Sequence, residues 1–205
     1  MEWTVPHQHA DSRGNRRYFT LASSPTEDTI RLGVKLSLDS SSYKKALFAL
    51  DKHTPVVASQ LAGDFVLPKD PNQKLVFLAG GIGITPFRSM IKYLIDIKQH
   101  RDIVLCYANK AVEEIAYKDV FDQAQKHIGM KVVYTLTDQH HIPAGWKGEV
   151  GRINAEMIKR EIPDFSERLF YLSGPQSMVN AYEKVLKGMG LPGKQIKKDF
   201  FPGLA

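Results

Sequence analysis

With 205 residues, 43% hydrophobic and 24% charged, the chain has ordinary globular composition and a length suited to one large domain or two small ones. Its one cysteine, Cys106, excludes an intrachain disulfide and a four-cysteine iron–sulfur cluster, and apolar runs such as Leu75 to Ala79 fall far short of the roughly 20 residues that span a bilayer. The formal net charge of +6 favours anionic partners, but the tightest basic cluster, Arg13 to Arg17, is short and lacks interleaved aromatics, so no nucleic-acid partner is expected.

In chain order, the N-terminus runs at once into strand-like sequence with no charged and apolar leader pattern, which reads as a cytoplasmic chain. From Glu2 to about Leu67 the pattern predicts short β segments at Trp3 to Val5, Tyr18 to Ala22, Thr29 to Leu38, Val56 to Gln60 and Phe65 to Leu67. A helix over Tyr43 to Leu50 follows hydroxyls at Ser41 and Ser42. The proline-bearing stretch Pro68 to Asn72 reads as a linker dividing a β-rich segment, 1–70, from a second segment, 71–205. There, strands at Leu75 to Ala79, Ile103 to Ala108, Lys131 to Thr137, Leu169 to Ser173 and Gln195 to Phe200 alternate with helices at Pro86 to Lys98, Glu113 to Ile128, Asn154 to Arg160 and Pro175 to Gly188. Strands without polar alternation, separated by helices, predict a parallel five-stranded sheet covered on both faces. A ligand is expected at its carboxyl ends.

Three groups of residues carry chemistry. Gly80-Gly81-Ile82-Gly83-Ile84-Thr85-Pro86 follows an apolar strand and opens a helix; its glycines permit close backbone approach, Thr85 suits a cap, Pro86 suits the first turn, and the free amides face an anion. The spacing is not that of the Rossmann fingerprint. Ser173, Gly174 and Pro175 repeat the device after the fourth strand of this segment, with Met178 on the next helical turn. In the first segment Arg17 and Phe19 share a strand face near Thr20, giving a cation for a diphosphate and a ring for stacking. Asn109 and Lys110 follow the second strand, at the sheet edge where a ligand is expected, and Lys110 offers a cation there. His7 with His9 and His140 with His141 form no four-ligand set, so no metal is expected, and Cys106 reads as a small core residue.

The string R-x-F-T-x-A-S-S-P from Arg17, the I-R-L-G-V-K-L from Ile30, the G-D-F-x-L-P from Gly63, the G-G-x-G-x-T-P and the L-S-G-P resemble, in order along nearly the whole chain, the ferredoxin reductase superfamily. The resemblance implies a flavin-binding antiparallel barrel followed by a nicotinamide-binding α/β domain. It implies that Arg17 binds the FAD pyrophosphate, that Phe19, commonly tyrosine in the family, lies against the isoalloxazine, and that Thr20 approaches flavin N5. Leu32, Val34 and Lys35 would pass the adenosine part, and Ser41 and Ser42 would donate to phosphate. Gly80, Gly81, Gly83, Thr85 and Pro86 would line the nicotinamide site, closed by Ser173, cysteine in some members, with Gly174, Pro175 and Met178. Asp199 and Phe200 fall where the family has an acidic residue and an aromatic near the flavin or nicotinamide. Thr20, Thr85, Ser173 and Asp199 form the implied catalytic set. The family's barrel has strands before the part resembling Glu2 to Pro6, so the resemblance implies a truncated barrel, whose bare edges a partner chain or a homo-oligomer would cover unless the chain is a fragment. The implied activity moves hydride from NADH or NADPH to FAD and passes electrons to a ferredoxin, a haem protein or a membrane redox subunit. The alternative is a non-catalytic dinucleotide-binding or assembly subunit.

Overall fold

Two sheets of different kinds follow one another along the chain in the computed structural model, which describes residues 1–201. Residues 202–205, the end of the expected second segment, lie outside the described residues. The first sheet is antiparallel, with strands β1 (Glu2–Thr4), β2 (Arg16–Tyr18) and β3 (Val57–Ser59) in the order β2-β1-β3. Its register sets Arg17 and Ala58 on either side of Trp3. Helix α1 (Ser42–Phe48) supplies the buried Tyr43, whose hydroxyl donates to the Trp3 carbonyl at 3.0 Å.

The expected strand Tyr18 to Ala22 is displaced to Arg16–Tyr18, leaving Leu21 in an isolated bridge, and two further expected strands of this half do not form. Thr29 to Leu38 makes only an isolated bridge between Leu32 and Leu21, because Gly33 lies so close to Thr85 and Ile82 that the chain runs along the glycine-rich turn instead of pairing. Phe65 to Leu67 is a strap rather than a strand. Phe65 inserts its ring 5.1 Å from Tyr171 and 5.8 Å from Phe87, and the Tyr171 hydroxyl donates to the Val66 carbonyl at 2.7 Å. Phe65 is half-buried, so its packing contributes some part of the roughly 1.5–3 kcal/mol of a fully buried ring.

The second sheet is parallel and has six strands, in the order β7-β6-β5-β4-β8-β9. These are β4 (Leu75–Gly80), β5 (Ile103–Asn109), β6 (Lys131–Leu136), β7 (Glu149–Val150), β8 (Leu169–Pro175) and β9 (Ile196–Phe201). The sixth strand, β7, corrects the expectation of five. It is two residues long, too short for any periodicity, and the Trp146 indole donating to Glu149 O at 3.0 Å and the Thr135 hydroxyl donating to Gly151 O at 2.6 Å hold it in place.

Alternate side chains of the strands feed two cores. Phe77, Leu105 and Tyr107 meet α2 (Thr85–Asp96) and α3 (Lys118–Ile128), while Val76, Leu78 and Cys106 meet α4 (Ala155–Glu161) and α5 (Gln176–Gly188). Burial pushes the Cys106 thiol up to about 12, as befits a core residue. Helix α3 starts later than the expected Glu113 because Tyr117, just before it, sits at φ 57°, in the left-handed region, after a separate 3-10 turn at Val112–Glu114. None of the helices among the described residues is long and apolar enough to cross a membrane. Strand order reverses at β4, which has β5 on one side and β8 on the other, so the crevice expected in a doubly wound sheet opens at the carboxyl ends of β4 and β8.

Candidate cofactor-binding cleft

At the end of β4, residues Gly81–Ile84 wind into a 3-10 turn that leads into α2 without a break. Two glycines are required by close approach: a Cβ on Gly83 would overlap the backbone of Ser173 and Gly174, and one on Gly80 would overlap the Met178 thioether. Gly81, at φ 51°, faces open space, with nothing within 4 Å of an added Cβ. Thr85 is the first residue of α2 rather than its cap, because the 3-10 turn already supplies the helical entry, and its hydroxyl donates back to Ile82 O at 3.2 Å. Pro175 likewise stands one position before the first helical residue of α5, since β8 runs extended through it. Two buried groups beside this crevice have no hydrogen-bond partner among the described residues: the Ser173 hydroxyl and both amide atoms of Asn109, which lies by the Tyr107 hydroxyl. Buried polar groups are normally paired, so such orphans mark places for an absent partner.

Between the halves lies a cleft of about 1550 Å³. On the first-half side it is lined by Arg17, Phe19, Thr20, Val34, Lys35 and Ser41, and on the α/β side by Thr85, Pro86, Asp199 and Phe200. Arg17 and Phe19 do share a face: the Arg17 guanidinium stands 5.1 Å from the centroid of Tyr43, and Phe19 stacks on the same ring at 5.9 Å and 27°. Arg17 is internally engaged, donating to the carbonyls of Arg13, Gly14 and Arg16 at 2.7–3.0 Å and pairing with Asp11 at 2.9 Å. The Thr20 hydroxyl crosses the cleft to donate to Asp199 at 3.2 Å. Burial holds the Asp199 carboxyl above its ordinary range, against the lowering effect of that hydrogen bond.

The other expected residues fall outside this lining, while Ser41 and Lys35, within it, already have partners of their own. Gly80, Gly81, Gly83, Ser173, Gly174, Pro175 and Met178 form the β4–β8 crevice beside it. Leu32 is bridged to Leu21. The Ser42 hydroxyl accepts from Asp11 N at 3.0 Å and bonds His7, while Ser41 is the α1 cap, accepting from Lys44 N at 3.3 Å. Asn109 ends β5 and Lys110 is exposed beyond it, and Lys35 pairs with Glu114 at 2.7 Å. Sequence reasoning missed Asp11 and Tyr43, which hold Arg17 and Phe19, and the buried Arg88 with Glu27. A tyrosine directly after two serines at a helix start, and an arginine within an otherwise apolar helical stripe, were the available signals.

A flattened anionic dinucleotide suits this arrangement: cations at Arg17 and Lys35, the ring of Phe19 backed by the buried Tyr43, and, in the adjoining crevice, open space over Gly81 with the unpaired Ser173 and Asn109 groups nearby.

The oxidoreductase NAD-binding domain family matches residues 77–184. The chain is 28% identical over 131 residues to the glycine betaine monooxygenase reductase subunit of Pseudomonas aeruginosa, covering 64% of this chain and 36% of that protein. It is 28% identical over 187 residues to a flavohemoprotein of Bacillus subtilis, covering 90% and 46%. With NADH-cytochrome b5 reductase 1 of Mortierella alpina the identity is 33% over 131 residues, covering 62% and 43%. The chain thus spans between a third and a half of the length of these relatives. Among solved structures, the Amycolatopsis cytochrome P450 reductase GcoB superposes with a TM-score of 0.79 at 23% identity, over 98% of this chain and 59% of that one. The flavohemoglobin of Malassezia yamatoensis, with bound FAD and heme, superposes with a TM-score of 0.75 at 21% identity, over 98% and 50%. By its matched domain and its fold, the chain belongs to the ferredoxin reductase-like superfamily of FAD/NAD(P)-binding oxidoreductases.

Proposed function

We propose that the chain is the nucleotide-binding part of a flavin reductase, taking NADH or NADPH in the β4–β8 crevice and FAD in the cleft, and delivering electrons to a separate protein. The observation that carries this reading is contiguity: Thr85 and Pro86 belong to the glycine turn packed on Ser173 and Gly174, and the same two residues line the cleft that holds Phe19 and Thr20. Flavin, when bound, supplies the hydride acceptor and the store from which single electrons leave. The protein supplies orientation. Arg17 would hold the diphosphate, Phe19 would offer its ring, Leu32, Val34 and Lys35 would border the adenosine, and Ser41 would retain a hydroxyl proton to donate.

On the other side, Gly80, Gly81, Gly83, Gly174, Pro175 and Met178 wall the nicotinamide, toward which the Ser173 hydroxyl is free to turn. Asn109 and Lys110 take the adenosine ribose. Thr20 and Asp199 hold a proton between them where the two sites meet. Relatives named as reductase subunits, flavohemoproteins and a cytochrome b5 reductase point to an oxygenase or haem protein as the acceptor.

The test is to equilibrate purified protein with FAD, remove the excess, and add NADH or NADPH without oxygen. A retained flavin band that bleaches supports the reading, and the nucleotide that bleaches it is the donor. A folded chain that takes up neither flavin nor nucleotide overturns it. One observation favours a second reading, a non-catalytic dinucleotide-binding or assembly subunit: Arg17 is already satisfied by Asp11 and three carbonyls. That reading expects nucleotide binding without retained flavin.

A further inference from the structure

The cleft takes one wall from each half of the chain, the crevice lies wholly in the second, and a buried guanidinium fastens one half to the other. Arg88 lies on α2 three residues after Thr85, with its side chain 5% exposed. Its Nη1 donates to the Ala22 carbonyl at 2.9 Å, its Nη2 donates to Glu27 Oε1 at 2.8 Å, and a second contact from Nη1 to Glu27 Oε2 completes a bidentate pair. Ser24 N donates to the same carboxylate at 2.8 Å, and the neighbouring Ser89 hydroxyl donates to Ser23 O at 2.7 Å. The Tyr117 ring lies against the guanidinium, 5.6 Å from its centroid, on a residue held in the left-handed region.

A buried ion pair is a weak source of net stability, because desolvating both charges offsets their attraction. Its planar, bidentate geometry instead fixes register. The register fixed here is that of Ala22 to Ser24 against α2. Thr20, two residues earlier, is tied on its other side to Asp199. The segment bearing Phe19 and Thr20 is therefore tethered between the end of β9 and a point one helical turn beyond Thr85.

We propose that Arg88, acting through Glu27 and the Ala22 carbonyl, is a positioning residue that sets the spacing between the Phe19–Thr20 segment and the Gly81–Thr85 turn, so that hydride transfer depends on a side chain that lines neither site. The proposal rests on the reductase reading above for its catalytic consequence, while the tether itself does not.

The experiment compares the unaltered full chain with Arg88→Met, Arg88→Lys, Glu27→Gln and the double variant R88M/E27Q, which leaves no unpaired buried charge. Hydrogen exchange followed by mass spectrometry reads the tether without any cofactor. Exchange in residues 17–24 is expected to quicken in Arg88→Met and in the double variant, with β4 and β5 unchanged. Anaerobic flavin bleaching at varied NADH or NADPH reads the consequence. The saturating rate per bound flavin is expected to fall by about 10- to 100-fold, the effect of misplacing reacting groups by about 1 Å, with KM changed by less than about threefold and with partial rescue in Arg88→Lys. The proposal is overturned if exchange in residues 17–24 is unchanged in the double variant, or if the loss of rate only follows loss of flavin. A wild-type chain that never bleaches sinks the reductase reading, and the exchange result still decides the tether.

Discussion

Gly83 rests with its α-carbon against the backbone of Ser173 and Gly174, with no room for even a methyl group. Replacing it by alanine therefore overpacks the junction of β4 and β8 and is expected to cost about 1–3 kcal/mol, read as a lowered Tm, together with a loss of nucleotide binding. Two carboxyls differ in their response to pH. Glu27 is held at about 2, chiefly by the hydrogen bonds from Arg88. With its folded pKa depressed, its contribution to stability is full above the ordinary glutamate range near 4.5 and is lost as pH falls toward 2. Asp199 is shifted the opposite way by burial, so its contribution is full in acid and is lost as pH rises through its folded pKa. Asp199→Asn keeps an acceptor for Thr20 and should flatten the fall of Tm above the ordinary carboxylate range, while Glu27→Gln should flatten the fall in acid. Thermal melts across pH check both slopes.

The turn after α3 offers a clean measure of backbone preference. Gly129 stands at φ 67° at the end of that helix, its N–H donates to Ala124 O, and an added Cβ there would touch nothing within 4 Å. Gly129→Ala should therefore cost about 1 kcal/mol through conformation alone, measurable by denaturant unfolding with an unchanged m-value. Elements that bury a whole face were legible from sequence: β4, β5 and β8 from their apolar runs, and α2 and α5 from their stripes. What escaped was decided by contacts distant in the chain. The Thr29 to Leu38 run has strand composition, but Gly33 against Thr85 draws it across the turn, and β7 exists because Trp146 and Thr135 pin two residues to a sheet edge. In the site, the glycine motifs were legible because backbone approach demands glycine. The partners of Arg17 and Arg88 were not, since Asp11 and Glu27 carry no local pattern.

Charge at the scale of the molecule is biased where the halves meet. The cleft is lined by Arg13, Arg16, Arg17, Lys35, Lys44 and Lys198 against Asp39, Asp64 and Asp199, in a chain of net charge +6. Such a field speeds the arrival of an anionic dinucleotide and is screened over about 8 Å at physiological ionic strength. FAD association followed by fluorescence quenching should therefore slow steeply between about 10 and 150 mM salt, with the dissociation rate less affected. A salt-independent association rate would show that the charged rim plays no part in capture.

The pairing of β4 with β8 has a consequence in time. Leu75 stands beside Leu169, and Ala79 beside Ser173, so the two walls of the crevice come from stretches of chain separated by β5, β6 and β7. Contacts this distant in sequence form only after the loop between them is closed, which makes them slow relative to the helices and the β5–β6 pair. During synthesis the Gly80–Thr85 turn emerges long before the backbone it packs against. The nascent chain thus carries a finished first wall with nothing opposite it, and the crevice itself does not exist until β8 has left the ribosome.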